Sequence, residues 1–168
     1  MIVETLILFL VTLIPTLELR ASIPLGILQG EFNIFSHSIQ GFGLPWPQVF
    51  LTCVLANIIL GIFVFILLQL FIKHLLKIKI FAKFYNRNVE KTQKKIKPSI
   101  EKYGWIGIAL FIAIPLPGSG SYTGALAAEI LGMKKRHFFI ANAVGVTIAG
   151  VLVTIVTLTG QGIFSFLF

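Results

Sequence analysis

The sequence predicts an all-α integral membrane protein built as an inverted repeat. Each half is a re-entrant helical hairpin followed by a long transmembrane helix, and a basic cytoplasmic linker joins the halves. Three observations predict it. First, 57% of the 168 residues are hydrophobic and 12% are charged, about half the charged share of an ordinary soluble domain. The mean hydropathy is +0.95, more apolar side chain than a soluble globule of this size can hide. Second, ten of the fourteen Lys and Arg fall in residues 73–102, opposed there only by Glu90 and Glu101. Positive charge between apolar blocks marks a cytoplasmic loop. Third, two apolar stretches are broken at the same dipeptide, Ile14-Pro15 and Ile114-Pro115.

This composition excludes a secreted disulfide scaffold, a disordered regulator and nearly all soluble enzymes. The single cysteine, Cys53, permits no internal disulfide and reads as lipid-facing or as packing filler. There is no aspartate, which disposes of enzymes that hold metals or phosphates with Asp clusters. His37, His74 and His137 are scattered and make no metal site. No nucleophile–base–acid set and no Walker pattern is present, so neither an enzyme nor a cofactor is expected. The net charge of +8 is confined to loops, so anionic lipid headgroups are the nearer partner and nucleic acid is not expected.

The elements follow in order. The first repeat is residues 1–72. Its start resembles a signal peptide but carries Glu4 where a basic region belongs, so retention is expected. An apolar arm runs from Met1 to Ile14, Pro15 breaks it, and the polar cluster Thr16, Glu18, Arg20 and Ser22 follows. Pro24 and Gly26 precede the close of this hairpin at Gly30. Residues 31–48 lack Lys and Arg and read as an external loop. Residues 49–72 form an apolar run long enough to span, with Asn57 and Gln69 its strongly polar members.

Residues 73–102 are the linker, whose first part, His74 to Tyr85, spaces its apolar residues as an amphipathic helix on the inner leaflet would; the long span continuing past the surface is the equal alternative. The second repeat is residues 103–168. Both ends of its hairpin, 103–133, are basic, so it starts and finishes in the cytoplasm. The arms Ile106–Pro115 and Tyr122–Met133 are each shorter than the ~20 residues a span requires. The stretch between them, Pro115 to Ser121, cannot stay helical. A re-entrant hairpin is the economical reading; two tilted full spans are the alternative. The second span is residues 137–160, beginning just after Lys134-Lys135-Arg136, and a short tail ends outside with the N-terminus. The halves echo each other further: Ala56-Asn57 matches Ala141-Asn142, and Gly61 and Gly145 follow each asparagine. An odd number of crossings per half makes the halves point oppositely, as in secondary transporters.

Charge inside a membrane is costly and marks function by default. Glu18 and Glu129 are therefore the candidate proton-coupling residues. A structural ion pair is the alternative for Glu18 with Arg20, although residues two apart on a helix face different sides. Snorkelling to the interface is the alternative for Glu129. Arg20, Ser119, Gly120, Ser121, Tyr122 and Thr123 are the candidate substrate residues, because inward-pointing helix N-termini and one arginine suit an anionic group. Close helix packing by the glycines is the alternative. Pro15, Pro24, Pro115, Pro117, Gly118, Asn57 and Asn142 are read as structural support, each asparagine bonding to a hairpin backbone.

The runs LIPTLELRASIPLGI at 13–27 and FIAIPLPGSGSYTGALAAEILGMKKRHFFIAN at 111–142 resemble the small multidrug export protein family, and more distantly the DedA/VTT membrane proteins. The resemblance implies two opposed re-entrant hairpins and movement of polyprenyl phosphates or phospholipids, coupled to protons or sodium. The hairpin glutamate of that group falls on Glu18. DedA proteins carry arginines in the second hairpin, where this chain offers Ile114 and Gly120. The expected function is thus a plasma-membrane, multi-pass flippase for a lipid-linked anion bound between the hairpin tips. Export of small cationic drugs and a non-transporting scaffold are the alternatives. Membrane lipids and a proton or sodium ion are the expected partners. A homodimer is the expected way to shield the broken helices.

Overall fold

The computed structural model describes residues 2–15, 17–34, 37–75, 103–115 and 119–167. Most of them are helical. Six helices are described: α1 (Ile2–Thr12), α2 (Glu18–Ile27), α3 (Trp46–Leu75), α4 (Trp105–Ala113), α5 (Ser121–Ile130) and α6 (Lys135–Leu167). Trp46–Ile72 of α3 and Lys135–Gly160 of α6 are long and apolar enough to cross a membrane, where the sequence placed its two spans. Along α3, Leu51, Leu55, Ile59, Phe63, Leu67 and Leu70 are exposed, whereas Val49, Cys53, Ala56, Asn57 and Leu60 are buried. The exposed stripe is purely apolar and carries the helical period, as expected of a surface solvated by lipid. The other four helices have 9–11 residues, about 14–16 Å of rise, half of a ~30 Å hydrocarbon core.

One expectation is corrected. The chain is not all-helical, because two strands, β1 (Gln29–Ile34) and β2 (His37–Phe42), run from the last two residues read as the first hairpin into the stretch read as an external loop. They pair antiparallel, from Gln29 opposite Phe42 to Ile34 opposite His37. The hairpin is tied to the end of α2, against which β2 packs. The Gly43 N–H donates to the Leu28 carbonyl at 3.0 Å and the Leu44 N–H to the Gly26 carbonyl at 2.8 Å. The linker beyond Leu75, up to residue 102, lies outside the described residues.

The chain divides into two compact units, Met1–Asn57 with Thr147–Phe168, and Ile58–Val146. In the first, α1 and α2 pack together and onto the start of α3. A Cβ at Gly26 would lie 2.6 Å from Val49 and 2.9 Å from Leu8, so glycine sets this close approach. In the second, α4 and α5 pack together on the start of α6. A Cβ at Gly145 would lie 2.6 Å from the Ala109 carbonyl, and one at Gly124 would lie 2.5 Å from Ile112. Phe65 stacks on Phe138 at 4.3 Å between centroids, with Phe139 edge-on to Phe65 at 6.4 Å.

Candidate functional site

The first unit's site is built around a helix that stops and restarts. The Leu13 and Ile14 N–H groups reach back to Leu10 and Val11, each at 3.1 Å, tightening the last turn of α1. Pro15 has no N–H to continue it. The chain restarts when the Glu18 N–H bonds to the Ile14 carbonyl at 3.3 Å. Glu18 itself takes φ +41°, a left-handed conformation uncommon outside glycine. Such strain costs of order 1–3 kcal/mol and collects at functional positions.

The Glu18 side chain is 6% exposed. Asn57 Nδ2, from α3, donates to its Oε2 at 3.5 Å, and the Asn57 Oδ1 is buried with no hydrogen-bond partner. The partly buried Arg20 guanidinium lies within coulombic reach of the Glu18 carboxylate. One turn along α2, Ser22 Oγ donates to the Glu18 carbonyl at 2.8 Å. Thr12 Oγ1 donates to the Leu8 carbonyl at 2.7 Å. Cys53, one turn before Asn57 on the same face of α3, is fully buried with its thiol in reach of the Ser22 and Thr12 hydroxyls. It is packing in a polar seam and does not face lipid. The proline ring of Pro24, inside α2, denies the Arg20 carbonyl its usual donor four residues on.

The second unit presents a break without charge. Here α4 ends at Ala113, and the Ile114 N–H closes on Leu110 at 3.2 Å. Pro115 is exposed, as Pro15 is in the first break. Pro117 and Gly118 lie outside the described residues. Ser119 Oγ donates to the Ile114 carbonyl, so its hydroxyl serves the turn. Gly120 is buried at φ +142°, a conformation open to glycine alone. From there Ser121 opens α5. The Gly124 N–H closes its first turn on the Gly120 carbonyl at 2.8 Å, and Thr123 Oγ1 donates to the same oxygen at 3.3 Å. Tyr122 and Thr123 are partly buried, and Ser121 is fully buried.

Glu129 is partly buried and sits at the other end of α5, eight residues or about 12 Å from Ser121. That end closes in a Schellman motif: Gly132 at φ +69°, the Met133 N–H on Ala128 and the Gly132 N–H on Glu129, both at 2.9 Å. Glu129 thus belongs to a helix end and not to a break. Asn142 Nδ2 donates to the Ile58 carbonyl of α3 at 3.0 Å, over Gly61, where a Cβ would sit 2.4 Å from the Asn142 Oδ1. The sequence reading had each asparagine bonding to a hairpin backbone, and neither does. Asn57 takes a hairpin carboxylate and Asn142 takes a long-helix carbonyl.

The sequence reading missed Thr12 and Cys53 as members of the Glu18 seam. It also missed a separate cleft of about 500 Å³ lined by Ile2, Thr5, Leu6, Phe9, Gln48 and Thr52. Gln48 Nε2 donates there to Thr5 Oγ1 at 2.9 Å. The spacing of Ile2, Thr5, Leu6 and Phe9 on one helical face was the available signal. Among the described residues no group of three His, Cys, Asp or Glu comes together. What the first site offers is one carboxylate, one guanidinium and neutral oxygens, a set suited to exchanging a single charge.

Residues 18–152 match the family described as "Putative small multi-drug export protein". No curated protein and no solved structure matches the chain.

Proposed function

The chain belongs to the small multi-drug export protein family, and from that premise we propose that it is a secondary-type transporter driven by charge exchange at Glu18. The family description gives its members an export, hence membrane-transport, role. The observation that carries the reading is the buried Glu18 carboxylate, held at a strained helix restart beside Asn57 and Arg20. An ionisable group in such a place is costly and marks a pathway.

The exchange has a simple electrostatic logic. An ionised Glu18 attracts Arg20. A proton or a sodium ion on Glu18 removes that attraction and releases Arg20 to hold an anionic group. Loading of the coupling ion and of an anionic cargo then reinforce one another. We therefore assign the cargo as a lipid-linked anion, and assign the chain transport and no catalysis. The second reading, export of a small cation that competes directly for Glu18, is favoured by the family description. Re-entrant hairpins in an inverted repeat, several membrane crossings and a homodimer covering the broken helices complete the proposal.

The test is gradient-driven movement in liposomes of a labelled polyprenyl phosphate and, separately, a cationic dye. Glu18→Gln should abolish movement of the true cargo. Arg20→Ala should abolish movement of the anion and spare that of the cation. Wild-type movement by Glu18→Gln, in folded protein, overturns the proposal.

A further inference from the structure

A primary amide carries a donor and an acceptor at nearly the same shape, so a half turn about its terminal side-chain bond exchanges them. Asn57 uses one of the two. Its Nδ2 donates to Glu18 Oε2 at 3.5 Å, the long limit of a hydrogen bond. Its Oδ1 has no hydrogen-bond partner, and the residue is 2% exposed. A buried carbonyl oxygen left unbonded is unfavourable. So long a bond also does little to fix the amide in this orientation.

The neighbouring oxygens of the seam are engaged. The Thr12 and Ser22 hydroxyls give their hydrogens to the Leu8 and Glu18 carbonyls, and the Cys53 thiol is in reach of both oxygens. Asn57 Oδ1 is the idle acceptor on the α3 side of Glu18. An ionised Glu18 needs a donor, and the amide supplies one. A protonated Glu18 carries an O–H that needs an acceptor, and the same amide supplies that once turned over.

From this we infer that Asn57 is the positioning residue that holds the Glu18 carboxyl in both of its charge states, donating through Nδ2 to the carboxylate and accepting through Oδ1 from the carboxylic acid. The proton arrives on Glu18 and leaves from it; Asn57 gains and loses none. The role matters most when Glu18 is neutral, because Arg20 is then no longer attracted to it and Asn57 keeps the carboxyl against α3. The other ionisable groups of the unit are few. On α2, Arg20 is the charge within reach of Glu18. On α3, the Cys53 thiol lies one turn from Asn57. On α1, Glu4 is about 12 Å along the helix from Thr12. Thr147–Phe168, which completes the unit, has no ionisable side chain. The inference rests on charge exchange at Glu18 and concerns its proton-bound state.

The test is infrared difference spectroscopy of the full chain in detergent micelles, low pH minus high pH. A band of the protonated Glu18 carboxyl is expected, identified by its loss in Glu18→Gln. In Asn57→Leu that band should move to higher wavenumber, since the O–H has lost its acceptor. In wild type carrying isotope-labelled asparagine, a side-chain amide band should change with pH, and that change should vanish in Glu18→Gln. This second arm needs no variant at position 57 and decides alone if Asn57→Leu does not fold. A Glu18 carboxyl band left in place by Asn57→Leu, or an asparagine signal that Glu18→Gln leaves unchanged, overturns the inference and leaves charge exchange at Glu18 standing. The absence of any carboxyl band that Glu18→Gln removes overturns both the inference and the protonation of Glu18 on which it rests.

Discussion

The two helix breaks start alike and end differently. Each follows an Ile-Pro step, and each leaves a helix of 10 residues beyond it. In the first, the left-handed residue is Glu18 at φ +41°, a strained glutamate. In the second it is Gly120 at φ +142°, where strain is relieved by the absence of a Cβ. The first break buries a carboxylate, and the second buries one unpartnered hydroxyl, that of Ser121. The lesson is that the proline and the arm length set the shape of a break, while the two or three residues after it set its chemistry. The asparagines repeat the point. Asn57 and Asn142 share an Ala-Asn dipeptide, yet one meets a carboxylate at 3.5 Å and the other a carbonyl at 3.0 Å.

The repeated glycines give the sharpest ways to test this contrast. The largest effect on stability should come from Gly145→Ala. Its Cβ would lie 2.6 Å from the Ala109 backbone carbonyl and 2.8 Å from Ile112, and backbone cannot swing aside. About 3 kcal/mol should be lost, read as a lowered midpoint in thermal or denaturant unfolding in micelles. Gly61→Ala should cost less, about 1–2 kcal/mol, because the Cβ meets the Asn142 side chain. Adding Asn142→Ala should restore part of that loss, so the double variant is more stable than the sum of the singles. Strict additivity would mean that Gly61 and Asn142 are not in contact. The smallest effect, with the opposite sign, should come from Gly107→Ala. Nothing lies within 4 Å of a Cβ there, and α4 should gain about 0.5–1 kcal/mol.

Much of this contrast is legible in the sequence, and the limits are physical. The two long helices are legible because nearly every residue of 49–72 and 137–160 reports the same solvent. The breaks are legible because proline acts on its own backbone. The strands at 29–42 are not, because no Asn-Gly or Asp-Gly dipeptide announces their turn. Glu18 is singled out by its charge alone, but its partner Asn57 lies 39 residues away, and no local pattern joins them. The Ser121 hydroxyl is visible as a residue type; that it is buried without a partner is a property of the fold.

The central claim is that the working carboxylate sits at the first break and that the other hairpin glutamate, at the capped end of α5, does not carry the exchange. The most direct measurement is gradient-driven transport by Glu18→Gln and Glu129→Gln, each checked for folding and reconstituted at equal density. The account predicts background transport for Glu18→Gln and near-wild-type transport for Glu129→Gln. Near-wild-type transport by Glu18→Gln, with loss in Glu129→Gln, would contradict it.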